Sequence, residues 1–397
     1  MLATTLAAAT AALHAQTPDD GDPFDLIAGY SVRHESNLFR LADGADPQAA
    51  LGSSSKSDLI GIATLGIKVN KPYSLQRFEL DASLVNYRYR DFDYLDFTAR
   101  NYAAAWRWQL TPALRGNLTS TRTEALNSFS DYTNYGVRNV RTDEQHRLDA
   151  VFDVDGAWRL LGGVARTERR NSETFFEESD NRLDTVEAGV RRDFLSGSSV
   201  SLIARHGRGE YFNRPDLSPV YQLDDGFTQR EQELRAGWTV SAKTTLQGRL
   251  VHVAREHEHF PDRDYSGMVG NLSVALRATD KLTFTGNAGR ELGAYQSDAS
   301  SYATTQRVAL GAAWKIGAKT TLRGQFDRGR RDFRGALADV PDSGRVDQLR
   351  NARLAVEWQP SRSMLLTAAL EKEKRDSNRA AYDFDNSTAT VSAQFSF

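Results

Sequence analysis

Eleven arginines recur where a β-strand reading puts them on one face, each on a different strand: Arg107, Arg115, Arg147, Arg191, Arg205, Arg235, Arg249, Arg277, Arg307, Arg323 and Arg353. The same face carries Glu79, Asp81, Asp149, Asp153, Glu187, Asp193, Glu233, Glu291, Asp327 and Glu357. A guanidinium is a planar fork of donors. It binds carboxylates or paired hydroxyls through two parallel hydrogen bonds and keeps its charge at any working pH. Two uses of such a set stay open. The arginines can pair with the facing carboxylates and stiffen a wet wall. They can also remain partly unpaired and guide an anionic or hydroxylated chain. Aromatic residues gather near strand ends at Tyr87, Tyr89, Phe92, Tyr94, Phe97, Tyr132, Tyr135, Tyr211 and Phe212. They could stack on sugar rings, but the simpler reading is a girdle at a membrane interface.

Catalytic chemistry is hard to find. The chain has no cysteine, which removes disulfides, thiolate metal sites and thiol nucleophiles. The one histidine cluster is Arg255-Glu256-His257-Glu258-His259, in which His257 and His259 would share a strand face without a third ligand beside them. Gly317-Ala318-Lys319-Thr320 has the wrong spacing for a phosphate loop. Asp224-Asp225 reads as a solvated or ion-bridging loop pair. No nucleophile–base constellation stands out, so the chain reads as a non-enzyme with no cofactor and no metal.

The elements that must position the arginines follow from the spacing. Leu234, Ala236, Trp238 and Val240 alternate with Glu233, Arg235, Gly237 and Thr239; Val308, Leu310, Ala312, Trp314 and Ile316 alternate with Arg307, Ala309, Gly311, Ala313 and Lys315. A helical period would mix these sets. The chain closes in the same way: Ala389, Val391, Ala393, Phe395 and Phe397 alternate with Thr388, Thr390, Ser392, Gln394 and Ser396. Short turns are read at Asn70-Lys71-Pro72, Thr111-Pro112, Asp155-Gly156, Ser196-Gly197, Ser241-Ala242-Lys243, Thr279-Asp280-Lys281, Gly317-Ala318-Lys319 and Pro360-Ser361-Arg362. Longer polar connections run from Leu41 to Ser55, Ser130 to Arg141, Arg214 to Gly226 and Arg334 to Gly344. The fold class expected is all-β: a transmembrane antiparallel up-and-down β-barrel of about 18 strands, with short periplasmic turns and longer extracellular loops.

Composition agrees with that picture. The 397 residues carry a net charge of -2, without the basic footprint of a nucleic-acid partner. Of 50 basic residues, nine are lysine and 41 arginine. The mean hydropathy is negative. No internal stretch approaches the roughly 18 consecutive apolar residues of a spanning helix, which excludes a helical membrane protein but not a barrel, in which only alternate residues face lipid. Residues 1–15 form a small-residue apolar run ending at Ala15, read as a signal-peptide-like segment despite its lack of a positive start. Residues 16–397 read as one barrel domain in the outer membrane of a Gram-negative bacterium, both termini periplasmic.

The opening strand, Ala28 to Arg40, ends Ser36-Asn37-Leu38-Phe39-Arg40. It resembles the start of the EpsL-type outer-membrane β-barrels of exopolysaccharide operons and the related β-barrel porins. The resemblance implies a channel that passes an exopolysaccharide from periplasm to cell surface through a hydrated, Arg/carboxylate-lined lumen. Its implied partners are the polymer, outer-membrane lipid and a periplasmic polysaccharide-export protein. The alternative is a small-solute diffusion porin for anions or oligosaccharides, which a long loop folded into the barrel would favour. A soluble secreted β-protein is the third reading. Cell fractionation separates it from the first two: a barrel is released only by detergent and changes gel mobility on heating, whereas recovery in the detergent-free soluble fraction would overturn the membrane reading.

Overall fold

In an extended chain, successive side chains point to opposite faces. A run with apolar residues on one parity and charged residues on the other can bury neither face alone. It satisfies both by standing between lipid and water. The computed structural model describes residues 23–130, 136–214, 222–297, 299–337 and 343–397, and in it these runs form 18 strands. They are β1 (Phe24–Glu35), β2 (Asp58–Tyr73), β3 (Gln76–Tyr89), β4 (Phe97–Gln109), β5 (Leu114–Leu126), β6 (Val140–Asp153), β7 (Trp158–Asn171), β8 (Asn181–Asp193), β9 (Ser199–Tyr211), β10 (Gly226–Ser241), β11 (Thr244–His257), β12 (Tyr265–Arg277), β13 (Leu282–Ser297), β14 (Ser300–Lys315), β15 (Thr320–Arg334), β16 (Val346–Ser361), β17 (Met364–Ser377) and β18 (Phe384–Ser396).

Each strand pairs antiparallel with its sequence neighbours, and β1 pairs with β18 from Ile27↔Ser396 to Glu35↔Thr388, which closes the sheet. The C-terminal Phe397 is sewn into this seam. Its N–H donates to the Leu26 carbonyl at 2.9 Å, and its carbonyl accepts from Leu26 N–H at 3.0 Å. Apolar side chains such as Leu65, Leu310, Phe326, Leu354 and Val391 stand exposed on the outside, where they meet lipid. Trp106, Trp158, Trp238, Trp314 and Trp358 are exposed with them near the short-turn end.

Two turns sit further along the chain than the sequence indicates. Asn70, Lys71 and Pro72 continue β2, and the turn is Ser74-Leu75, with Ser74 at a φ of 54°. Likewise Pro360 and Ser361 belong to β16. Proline is tolerated there because these residues lie at strand ends, where a missing donor costs little. The long connections lie at the opposite end, with one exception: β13 and β14 are joined through residues 298 and 299 alone.

Four of the outer hairpins close alike. The aspartate just before the next strand accepts the backbone N–H of the residue ending the previous one: Asp96 from Tyr89, Asp180 from Asn171, Asp264 from His257 and Asp383 from Ser377. The first connection does something else. Asn37, fully buried, donates its backbone N–H to Asn386 Oδ1 at 2.9 Å and its amide to the Leu41 carbonyl at 2.9 Å, while its Oδ1 accepts from Leu41 N–H. Arg40, at a φ of 54°, donates to Glu35 at 2.7 Å and to Glu373 at 3.1 Å. The Ser36–Arg40 stretch thus pins β1 to β18 and turns the chain inward.

Leu38, Phe39 and Leu41 then pack on Ile60, Ile62, Tyr89, Phe92, Leu95 and Phe129, with Tyr87 and Phe97 against the cluster. Ile60, Ile62, Tyr87, Tyr89 and Phe97 share the parity of Lys68 and Asp81 and therefore face inward. This corrects the girdle reading for Tyr87, Tyr89, Phe92 and Phe97, which line the inside of the outer mouth. Phe212 does lie among outer-face residues, under Arg170 and Arg182. Tyr132 and Tyr135 fall outside the described residues, as does the export-like segment 1–15. Phe39 is 1% exposed and touches the Phe92 and Phe129 rings at centroid distances of 4.8 and 4.6 Å. Phe39→Ala should therefore cost about 3–5 kcal/mol, measured as a fall in the unfolding midpoint in detergent. An unchanged midpoint would show that the cluster is not packed as described.

Candidate functional site

The register places all eleven arginines on the inner face, opposite in parity to the exposed apolar set. Ten of them sit within ion-pair distance of a carboxylate. Arg277, near the short-turn end, donates instead to the Ala242 carbonyl at 2.8 Å.

The densest network runs across the middle of β6 to β11. Glu233, whose side chain is fully buried, accepts from Arg205 at 2.7 Å, Arg235 at 2.6 Å and Arg249 at 2.8 Å. Arg205 also donates to Glu187 at 2.8 Å, and Glu187 accepts from Arg147 as well. A lone carboxylate at this depth would be costly. Three charge-assisted hydrogen bonds offset the lost hydration. Half of the Arg235 side chain nevertheless stays in contact with lumen water, at 55% exposed.

Two smaller clusters continue the pattern along the same wall. Towards the outer mouth, Arg141 and Arg169 converge on Asp143 at 2.8 and 2.7 Å. Towards the short turns, Arg115 and Arg159 converge on Asp153 at 2.5 and 2.8 Å. Arg141, Arg159 and Arg169 are absent from the sequence-based set, although β7 shows the same alternation as its neighbours and carries the last two. Elsewhere the pairing is closer to one to one: Arg107 with Glu79, Arg307 with Asp327, Arg323 with Glu357 and Arg353 with Glu371. The inner wall of β12 and β13 is mostly neutral, with Asn271, Ser273, Thr283, Thr285 and Asn287.

The histidine cluster is split. His257 ends β11, is buried and bonds Asp264 at 3.0 Å. His259 lies beyond the strand and shares no strand face with it. It meets the acid pair instead. Asp224 accepts His259 N–H at 2.6 Å and faces His259 Nδ1 at 3.2 Å, and ligand atoms of Asp224, Asp225 and His259 lie within 4.8 Å of one another. The hydrogen bonds make this a clasp between two outer connections. The Asp224 carboxylate holds the His259 ring above its ordinary pKa. Burial alone would raise Asp224, but hydrogen bonds from the His259 N–H and ring carry it below the usual carboxylate value.

No family model matches the chain, and no curated protein matches it. Solved structures do. OpdK of Pseudomonas aeruginosa with vanillate is 12% identical, with 94% of this chain and 99% of that one covered at a TM-score of 0.50. OccK2 (OpdF) of the same organism with glucuronate is 13% identical, with 94% and 96% covered at 0.51. A BenF-like porin of Pseudomonas fluorescens is 11% identical, with 94% and 98% covered at 0.51. At such identities the likeness is one of fold. The chain has the closed 18-stranded fold of outer-membrane porins, with the start of β1 and the C-terminal Phe397 at the short-turn, periplasmic end. The expectation of an exopolysaccharide conduit is overturned, and the export-protein partner expected with it finds no support. The barrels it superposes on almost end to end include a BenF-like porin and two that hold small molecules, vanillate and glucuronate. The EpsL-type resemblance reduces to the barrel itself.

The clasp gives a pH prediction. A raised His259 pKa stabilises the folded loops fully below the unfolded value of about 6.5, and this is lost as pH rises through the folded value. A lowered Asp224 pKa contributes above about 3.9 and is lost as pH falls through the folded value. Histidine-selective NMR in micelles should show His259 titrating above about 6.5, and Asp224→Asn should return it towards that value. A shift that survives Asp224→Asn would refute the clasp.

Proposed function

We propose that this protein is a non-enzymatic diffusion porin for small solutes, with a preference for small anions such as carboxylates. The observation that carries the reading is the first outer connection folded onto the inner wall, where Leu38, Phe39 and Leu41 occupy part of the mouth. A mouth narrowed by packed apolar side chains suits compact solutes better than a polymer. The anion preference is supported by the wall of β5 to β11, where two or three guanidiniums share a single carboxylate at Asp143, Asp153 and Glu233. A carboxylate arriving in the lumen can take up the donors left over. Contacts of this kind are weak and repeated, so a solute enters and still leaves. Vanillate and glucuronate, found in two of the similar barrels, are both small carboxylates. On this reading the eleven inward arginines line the solute path, and residues 1–15 are the export segment that delivers the chain.

Charge changes at one hub test this in two directions. In planar bilayers under a salt gradient, Arg235→Gln with Arg249→Gln should lower the anion-to-cation permeability ratio by about twofold or more. Glu233→Gln should raise it. Liposome swelling should show small carboxylates entering faster than neutral sugars of similar size. Unchanged selectivity in both variants would leave the arginines as wall stiffeners alone. Equal swelling rates for long oligosaccharides and small acids would refute the small-solute reading.

A further inference from the structure

One patch of cationic side chains faces the wrong way for a solute path. Arg290 on β13, Gln306 on β14, Arg330 on β15 and Gln348 on β16 lie side by side in register, and Arg328 lies beside Val308. Their parity is that of the lipid-facing Val308, Leu310 and Phe326, all exposed. Together they line an open hollow of about 420 Å³ on the outer surface. Arg330 pairs with Asp332 at 2.8 Å. The side chains of Arg290 and Arg328 have no ion pair or hydrogen bond with any described residue, and Arg328 stands directly across from Arg350, which pairs with Asp376 at 3.4 Å. Like charges placed opposite each other on neighbouring strands repel.

The height of the patch says what meets it. Gln306 lies eight residues from the girdle residue Trp314. That is about 26 Å along the strand and, at the usual barrel tilt, about 20 Å across the membrane. The apolar band of such barrels is about 25 Å tall. The hollow therefore lies in the outer part of the hydrocarbon, away from the short-turn end: Gln306 and its neighbours about 5 Å below the rim and Arg328, level with Val308, about 10 Å below it, from where an arginine side chain reaches up to the headgroups. An arginine at the mid-plane would be costly, but at the rim the cost nearly vanishes and the guanidinium meets lipid phosphate.

We propose that the hollow framed by Arg290, Arg328 and Arg330 binds the phosphate groups of outer-leaflet lipid A, with acyl chains lying on Val308, Leu310 and Phe326. The forks of Arg290 and Arg328 supply the free donors, and Gln306 and Gln348 bond phosphate or sugar oxygens. The bound anion gives Arg328 the partner that its cross-strand neighbour Arg350 already has in Asp376.

The test uses the full-length barrel folded in detergent, with diphosphoryl lipid A as probe and native mass spectrometry as readout. The wild type should retain lipid A, and Arg290→Glu with Arg328→Glu should reduce retention at least about tenfold, leaving channel conductance and heat-modifiable mobility unchanged. If that variant does not fold, Arg290→Gln with Arg328→Gln replaces it. Dephosphorylated lipid A should not be retained. Three results overturn the proposal: equal retention by the variant, equal retention of dephosphorylated lipid A, or complete displacement by millimolar inorganic phosphate, which would make the hollow a free-anion site.

Discussion

Hydrocarbon offers no hydrogen bonds, so a strand that enters a membrane must find a partner on both edges. The rest of this structure depends on that constraint. Eighteen strands have no free edge only because β1 meets β18. The seam joins residues almost a whole chain apart, with Asn37 bonded to Asn386 and Leu26 to Phe397. Once closed, the sheet fixes the parity of every side chain. A residue is then inside or outside by its position in the register, and the separation of lipid face from water face follows without further instruction.

Closure also explains why so much charge is tolerated on the inner wall. The lumen is wet, so an arginine there keeps water on its exposed side while a carboxylate meets it from the wall. Glu233 with Arg205, Arg235 and Arg249 shows the limit of this arrangement: the acid is fully enclosed, Arg205 is largely buried with it, and Arg235 and Arg249 are about half in solvent. The wall is held stiff by pairs, yet the shared carboxylates leave donors over. Stiffening and solute guidance can thus come from the same residues, and the two readings of the sequence are not rivals.

Much of this was legible in the sequence because it is governed by period two. The strand number, the C-terminal strand, most of the turns and the inward arginines all follow from alternation. What was not legible depends on contacts between distant segments. Tyr87 and Tyr89 have the inward parity of Asp81, but their aromatic character pointed to an interface, and only the returning first connection shows what covers them. Asp224 and His259 are 35 residues apart and meet across two connections. The turn after β2 was misplaced because Pro72 is read as a breaker, whereas at a strand end it costs no ladder bond. Arg159 and Arg169 follow the same alternation on β7.

The outer mouth is built from two materials. On the side of β2 to β4 it is held by packed apolar side chains around Phe39. On the side of β6 and β7 it is held by Arg141, Asp143 and Arg169. These respond to opposite features of the surroundings. Apolar packing weakens on cooling and is nearly indifferent to ordinary salt. Ion pairs are screened as ionic strength rises, but a pair as enclosed as Arg141 with Asp143 is screened much less than one on an open surface. Cold therefore weakens the packing around Phe39, whereas the enclosed pairs on the other side answer only weakly to salt. The two sides of the mouth are thus held by forces that depend differently on temperature and salt.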